Sequence, residues 1–142
     1  MFGDHQPNLE NGFYSEVYGK PVSDWTDADR QNKYISKFVL WANYDIPEGE
    51  VDKISVNYLQ TMLLQIAGLP MTDYNKYMAS LYTKYPVITA QGCIDASGNF
   101  FMADDAEGQA KQDILDYAAA CYNNLTDFEN RDDEAFYLNA TP

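Results

Sequence analysis

Apolar residues recur at intervals of three and four positions in four parts of the chain, which is the spacing of an amphipathic helix, and a fifth, short helix is indicated by Thr26 as a cap with Asp27 and Asp29 in its first turn. The clearest segment begins at Ser55 and runs to about Ala67, where Gly68 and Pro70 end it. The other helices are predicted at residues 9–18, in a short segment after Thr26, at residues 73–85 and at residues 107–122.

Three of the predicted helices have a predicted N-cap, and four have a predicted apolar face. Asn8, Thr26 and Thr72 are predicted N-caps, and Gly19 is placed to end the first helix. The residues predicted to face a core are Leu9, Phe13 and Val17, then Leu59, Met62, Leu63 and Ile66, then Tyr74, Tyr77, Met78 and Leu81, and finally Ile114, Leu115, Ala118 and Cys121.

Two parts of the chain have the pattern of strands. Residues 38–43 form a continuous apolar run without helical periodicity, which is typical of a parallel strand buried on both faces. Short strands are predicted at 87–90 and 92–94, and a turn with Gly98 in the left-handed region leads into 100–102 as a hairpin. A charged segment follows the last helix, and residues 136–138 could add an edge strand. The mixture predicts an α/β fold.

The first seven residues end a predicted strand and place Asp4 and His5 side by side. In open α/β sheets ligands bind where strands end, and Gly3 lets the backbone turn there. His5 is the single histidine of the chain, so imidazole chemistry would have to pass through it. The pair is therefore a candidate metal site, although an Asp-His pair at a chain start can also be a solvated end.

Composition narrows the possible partners. The 142 residues contain 9 Lys and Arg against 22 Asp and Glu, a net charge of −13, and such a surface repels nucleic acids and anionic lipid headgroups. The 12 Tyr, 7 Phe and 2 Trp argue for a packed core rather than disorder. No run approaches the roughly 20 apolar residues that span a bilayer.

Several common site types are excluded by the residues present. One histidine and two cysteines without a CxxC spacing rule out a three-histidine or cysteine-rich zinc site. The chain has no nucleophile elbow, phosphate-binding loop or dinucleotide fingerprint. Cys93 and Cys121 are expected to be mostly buried, free thiols.

Four segments in order resemble the lipoteichoic-acid synthase-like phosphoglycerol transferases of the alkaline phosphatase/sulfatase superfamily. They are residues 2–7 (FGDHQP), 41–46 (WANYDI), 55–59 (SVNYL) and 122–125 (YNNL). The similarity extends from Phe2 to about Leu138. It implies that residues 1–142 are the C-terminal portion of a sulfatase/alkaline phosphatase-like catalytic domain, with an alkaline phosphatase-like sheet, flanking helices and a small β-hairpin.

The resemblance also implies a chemistry. Enzymes of this branch hold Mn²⁺ or Mg²⁺ through a Glu, a nucleophilic Thr and an Asp-His pair, and only that pair matches here, as Asp4 and His5. The expected substrates are a phosphatidylglycerol-type lipid headgroup or a glycerol-phosphate polymer. The nucleophile, the remaining ligands and any membrane helices would lie in an upstream part of the same domain, at the extracellular face of a bacterial cell membrane.

Two alternatives remain open. A sulfatase or phosphodiesterase of the same superfamily would use the same Asp-His pair. Sulfatases need a Cys/Ser-x-Pro-x-Arg site, and neither Cys93 nor Cys121 lies in one, although that site too would be upstream. From a different class, the chain could be a non-catalytic acidic interaction module.

Overall fold

Residues 1–138 are described by a computed structural model, in which Met1–Tyr44 form one compact unit and the described residues from Asp45 onwards form a second. The prediction of a single domain over residues 1–142 stays a prediction, and its last four residues lie outside the described part.

The first unit is built around stacked aromatic side chains. It contains α1 (Asn11–Tyr18), a 3₁₀ turn (Val22–Asp24) and α2 (Asp27–Asn32). Tyr14 and Trp25 are its buried apolar residues, and the ring of Tyr18 lies 5.4 Å from Trp25 in an edge-to-face arrangement. Such pairs contribute about 0.5–1.5 kcal/mol beyond the area they bury.

The capping predictions in this unit are mostly confirmed. Gly19 ends α1 with a φ of 65°, in the left-handed region that glycine tolerates. Thr26 caps α2, because its hydroxyl accepts from Asp29 N–H while the Asp29 carboxylate accepts from Thr26 N–H. The N-cap of α1 is Glu10 rather than Asn8, so this helix begins two residues later than predicted.

The predicted inward face of α1 is wrong. Leu9, Phe13 and Val17 are exposed, whereas Tyr14 and Tyr18 turn towards Trp25. Tyr14 and Tyr18 lie on the side of α1 that meets the ring of Trp25, and these large rings remove apolar area from water there.

The predicted buried parallel strand at residues 38–43 is also corrected. Phe38 forms an isolated antiparallel bridge with Phe2. On one side of the bridge Met1 and Val39 exchange backbone hydrogen bonds of 2.9 and 2.8 Å, and on the other side Gly3 N–H donates to the oxygen of Lys37 at 2.8 Å. Trp41 is 81% exposed. An apolar run needs strands on both sides to be a central strand, and within residues 1–138 it has one antiparallel neighbour.

The second unit is mainly helical. A 3₁₀ turn (Val56–Tyr58) leads into α3 (Leu59–Ile66), followed by α4 (Asp73–Lys84), α5 (Gly108–Leu125) and α6 (Asp133–Phe136). Thr72 caps α4 with a capping box, as predicted. The core of this unit consists of Tyr58, Met78, Leu81 and Tyr85.

The sheet of the second unit is small and antiparallel. Its strands β1 (Val87–Thr89), β2 (Gly92–Ile94) and β3 (Phe100–Phe101) lie in the order β1-β2-β3. Gly98 has a φ of 84° in the turn before β3, so the predicted hairpin is confirmed. The mixed helix-and-strand class is confirmed too, but the larger alkaline phosphatase-like sheet is absent from residues 1–138.

Two predictions near the C-terminus are corrected. On α5, Leu115 and Ala118 are exposed, and the buried residue is Asp113, which lies two positions before Leu115 and so on another side of the helix. Residues 136–138 add no edge strand: Phe136 ends α6, and its ring packs 5.1 Å from Tyr74 on α4.

None of the helices in the described part of the chain combines the length and apolarity needed to cross a bilayer.

The two cysteines are free, as predicted, but they differ in burial: Cys93 on β2 is fully buried and Cys121 on α5 is partly exposed. Burial also raises the pKa of the Cys93 thiol and so lowers its thiolate fraction. In the native chain we therefore expect a thiol reagent to modify Cys121 at least about tenfold faster than Cys93, because the thiolate is the nucleophile. A Cys121→Ser variant should retain the slow phase alone, and equal rates for both thiols would contradict the structure.

Candidate functional site

The Asp4–His5 loop leaves directly from the short antiparallel ladder of the first unit. Gly3 N–H donates to the backbone oxygen of Lys37 at 2.8 Å, and the Ser36 hydroxyl donates to the oxygen of Gly3 at 2.8 Å. A Cβ added at Gly3 would lie 3.0 Å from the Ser36 Cβ, so this close approach of the two segments favours glycine. The backbone immediately before Asp4 is therefore held in place.

The side chains of Asp4 and His5 come together. Oδ2 of Asp4 lies 3.5 Å from Nε2 of His5, within the separation of about 5 Å at which two groups can share a cation. The carboxylate of Asp4 and the imidazole of His5 are therefore the two groups of this loop that would hold a shared cation. The predicted proximity is confirmed, and a metal-binding role remains a prediction.

The imidazole of His5 has a defined orientation. Its Nδ1–H donates to the backbone oxygen of Gln6 at 2.8 Å, and a carbonyl oxygen can only accept, so Nδ1 must carry the proton. In the neutral ring Nε2 is then the unprotonated nitrogen, and it is the atom beside Asp4. Histidine ligands of metals commonly show this arrangement, with the other ring nitrogen donating to a carbonyl or carboxylate.

The donor set suits a hard divalent cation but is incomplete in these residues. A carboxylate oxygen with one imidazole nitrogen matches the preferences of Mn²⁺ better than those of a thiolate-seeking metal. The side chains of Asp4 and His5 are 92% and 77% exposed, which leaves room for further ligands. Residues 1–138 contain no cluster of three or more His, Cys, Asp or Glu side chains able to hold a metal.

The remaining segments that resemble the transferases have different surroundings. Trp41 is exposed in the first unit, whereas residues 55–59 and 122–125 lie in the second. The Ser55 hydroxyl accepts from Ile88 N–H at 2.8 Å, and Asn57 donates to the hydroxyl of Tyr117 at 2.8 Å. Asn123 accepts from Asp132 N–H at 2.9 Å. These contacts join helices, strands and loops and give the three residues structural roles.

Sequence reasoning missed a polar cluster in the second unit. Asp113 on α5 is buried and accepts hydrogen bonds from Lys84 at 3.0 and 3.2 Å, from the Tyr85 hydroxyl at 3.1 Å and from Gln109 at 2.9 Å. It lines an open groove of about 470 Å³ together with Phe101 and other residues. The one sequence signal is an aspartate on the apolar side of a helix.

The hydrogen bonds of Asp113 indicate a structural role for this cluster. Burial opposes ionisation of the carboxyl, but the bonds from Gln109, Lys84 and Tyr85 outweigh it and hold its pKa below the usual range. Both carboxylate oxygens are occupied by groups of this chain. The cluster therefore ties the end of α4 to α5 and leaves no unpaired group pointed at a ligand.

The comparisons with known proteins give a distant relation. No family model matches the chain, and no solved structure matches it. A protein of Rhizobium meliloti (strain 1021) named "Putative cyclic beta-1,2-glucan modification protein" is 25% identical over 101 residues, which is 69% of this chain. The match covers 16% of that relative, so the chain spans only a small part of the relative's length. The relation is loosely compatible with a phosphoglycerol transferase-like family.

Proposed function

We propose that this chain is the C-terminal part of a metal-dependent phosphoglycerol transferase, similar to the lipoteichoic-acid synthases, to which Asp4 and His5 contribute two metal ligands. The observation that carries the proposal is their geometry: Oδ2 of Asp4 lies 3.5 Å from Nε2 of His5, and His5 Nδ1 is already engaged by a backbone oxygen. Two adjacent donors on an anchored loop form half of a binding site, and the other ligands would come from an upstream part of the same domain.

The cation in this proposal is Mn²⁺ or Mg²⁺. Such an ion would activate the nucleophile and neutralise charge at the phosphorus of a lipid-linked glycerol phosphate. The part assigned to this chain is to hold the ion: Asp4 with a carboxylate oxygen and His5 with Nε2. The nucleophilic threonine of the resembling enzymes would lie in the upstream segment.

The acceptor in this proposal is a glycan. The Rhizobium relative is named for the modification of a cyclic β-1,2-glucan, and transfer of glycerol phosphate to a glycan hydroxyl is one such modification. A neutral glycan is also compatible with a net charge of −13. The complete enzyme is proposed to work at the extracellular face of a bacterial cell membrane.

Exposed apolar residues of the first unit support the proposal that another part of the catalytic domain packs against it. Phe2, Val39 and Trp41 are all exposed and lie on or beside the ladder that leads to Asp4. Exposed large apolar side chains beside a candidate site are candidates for a contact surface. We propose that the upstream part of the catalytic domain covers these residues.

The test of the proposal uses the chain by itself. We expect Mn²⁺ to bind weakly, because two ligands cannot complete a coordination shell, and we expect no phosphodiester turnover, because the nucleophile is absent. Paramagnetic broadening of the His5 ring signals on Mn²⁺ titration measures the binding, and headgroup release from a fluorescent phosphatidylglycerol analogue measures turnover.

The control variants separate this proposal from its alternatives. Asp4→Ala should remove the broadening of His5, whereas alanine at the exposed Asp52 should leave it unchanged. If Mn²⁺ broadens the His5 ring signals equally in Asp4→Ala and in the unchanged chain, the result would favour the non-catalytic acidic module. Metal-dependent turnover by this chain, abolished by Asp4→Ala, would contradict the proposal because a complete site would then exist within these residues.

A further inference from the structure

Gln6 contacts the Asp4–His5 loop and a distant segment at the same time. Its side-chain Nε2 donates to the backbone oxygen of Ile35 at 2.7 Å and lies 3.4 Å from the oxygen of Asn32. Its own backbone oxygen accepts from His5 Nδ1 at 2.8 Å. One residue therefore links the imidazole of His5 to backbone that is 29 positions away.

These bonds anchor the loop on its far side. Gly3 is fixed on the near side by its bonds with Lys37 and Ser36, so Asp4 and His5 lie between two attached residues. Because the side chains of both candidate ligands are exposed, packing does little to hold them. Their relative position then depends on the backbone that carries them.

The backbone oxygen of Gln6 also decides which nitrogen of His5 faces Asp4. As long as it accepts from Nδ1–H, Nε2 is the unprotonated nitrogen of the neutral ring, and this atom lies beside the Asp4 carboxylate. If the Gln6 side chain no longer held this peptide in place, the carbonyl could rotate away and the imidazole could adopt other rotamers and the other tautomer.

We propose that Gln6 is the positioning residue of the Asp4–His5 pair: its amide side chain fixes the peptide whose oxygen orients His5 Nε2 towards a shared cation. This inference rests on the proposed function for its metal, while the orientation of the imidazole stands on this structure alone. Residues that orient metal-bound histidines typically change metal affinity by about 10–100-fold when replaced.

The experiment compares Gln6→Ala and Gln6→Met with the unchanged chain. Methionine keeps the length of the side chain and removes the donor, so it separates the hydrogen bond from packing. We expect both variants to require about tenfold more Mn²⁺ for half-maximal broadening of the His5 ring signals. Alanine at Gln60, exposed on α3, is the matched control and should leave the titration unchanged.

A second measurement needs no metal. The ¹⁵N shifts of the neutral imidazole report its tautomer, and we expect the Nδ1–H form to dominate in the unchanged chain and to lose its dominance in both Gln6 variants. A purely structural change elsewhere in the unit would not alter this signature.

The outcomes are distinguishable. Unchanged Mn²⁺ titration and an unchanged tautomer in both Gln6 variants would overturn the inference. A changed tautomer with no Mn²⁺ broadening even in the unchanged chain would overturn the proposed metal site and support the orienting role of Gln6. If Gln6→Ala lowered Mn²⁺ affinity tenfold and Gln6→Met did not, the hydrogen bond of Gln6 could not be the cause, and the inference would be overturned.

Discussion

Asp4→Ala in the longer enzyme of the proposed function is expected to lower phosphodiester turnover by about a thousandfold or more. A catalytic cation supplies several kcal/mol of charge stabilisation in the transition state, and each 1.36 kcal/mol is about a tenfold change in rate. Asp4 is the anionic donor of the pair, so its loss removes both a ligand and a negative charge beside the cation. The measurement is headgroup release from a fluorescent phosphatidylglycerol analogue at fixed Mn²⁺.

The dependence of Asp4→Ala activity on Mn²⁺ concentration distinguishes a metal-binding defect from a folding defect. If Asp4 is a ligand, a large excess of Mn²⁺ should restore part of the activity of Asp4→Ala, because weaker binding is overcome by mass action. Asp52→Ala, at an exposed position of the second unit, should retain full activity. Turnover in Asp4→Ala equal to that of Asp52→Ala would exclude Asp4 from the site.

The features predicted correctly from sequence are those that local chemistry decides. Thr26 and Thr72 cap helices because their hydroxyls satisfy backbone N–H groups three residues away. Gly19 and Gly98 occupy left-handed positions that side chains with a Cβ rarely adopt. Each of these interactions spans a few residues, so the neighbouring sequence contains all the information needed.

Failures of prediction occurred where burial depends on distant partners. The apolar pattern at 38–43 predicts that this segment is buried, but it does not indicate which other segment packs against it. In residues 1–138 its partner is Phe2 in an antiparallel bridge, and Trp41 stays exposed. On α1 the predicted stripe of Leu9, Phe13 and Val17 stays exposed, because Trp25, outside the helix, provides the surface against which Tyr14 packs.

The residues of the candidate site also differ in whether the neighbouring sequence could predict them. Asp4 and His5 are adjacent in sequence, so their proximity follows from connectivity, and the glycine before them signals a turn. Gln6 carries no comparable signal, because its role depends on the backbone oxygen of Ile35, which no local pattern brings close. Asp113 was missed for a related reason, since two of its donors, Lys84 and Tyr85, come from the end of α4.

Met78→Ala is expected to lower the free energy of unfolding of the second unit by about 3 kcal/mol, within the range of 2–5 kcal/mol for large-to-small changes in a core. Met78 on α4 is 0% exposed and packs in the cluster with Tyr58, Leu81 and Tyr85. Alanine would leave a cavity among these rigid rings, which cannot collapse to fill it.

Urea unfolding followed by far-UV circular dichroism measures the effect of Met78→Ala, and the midpoint should fall without a change in slope. Met102→Ala is the matched control, since Met102 is 42% exposed and its truncation should change stability by less than about 0.5 kcal/mol. The reactivity of the buried Cys93 on β2 gives an independent reading, because its labelling should accelerate in Met78→Ala and not in Met102→Ala. If the two methionine variants proved equally stable, the core described for the second unit would be wrong, because a fully buried side chain cannot be removed without loss of its contacts.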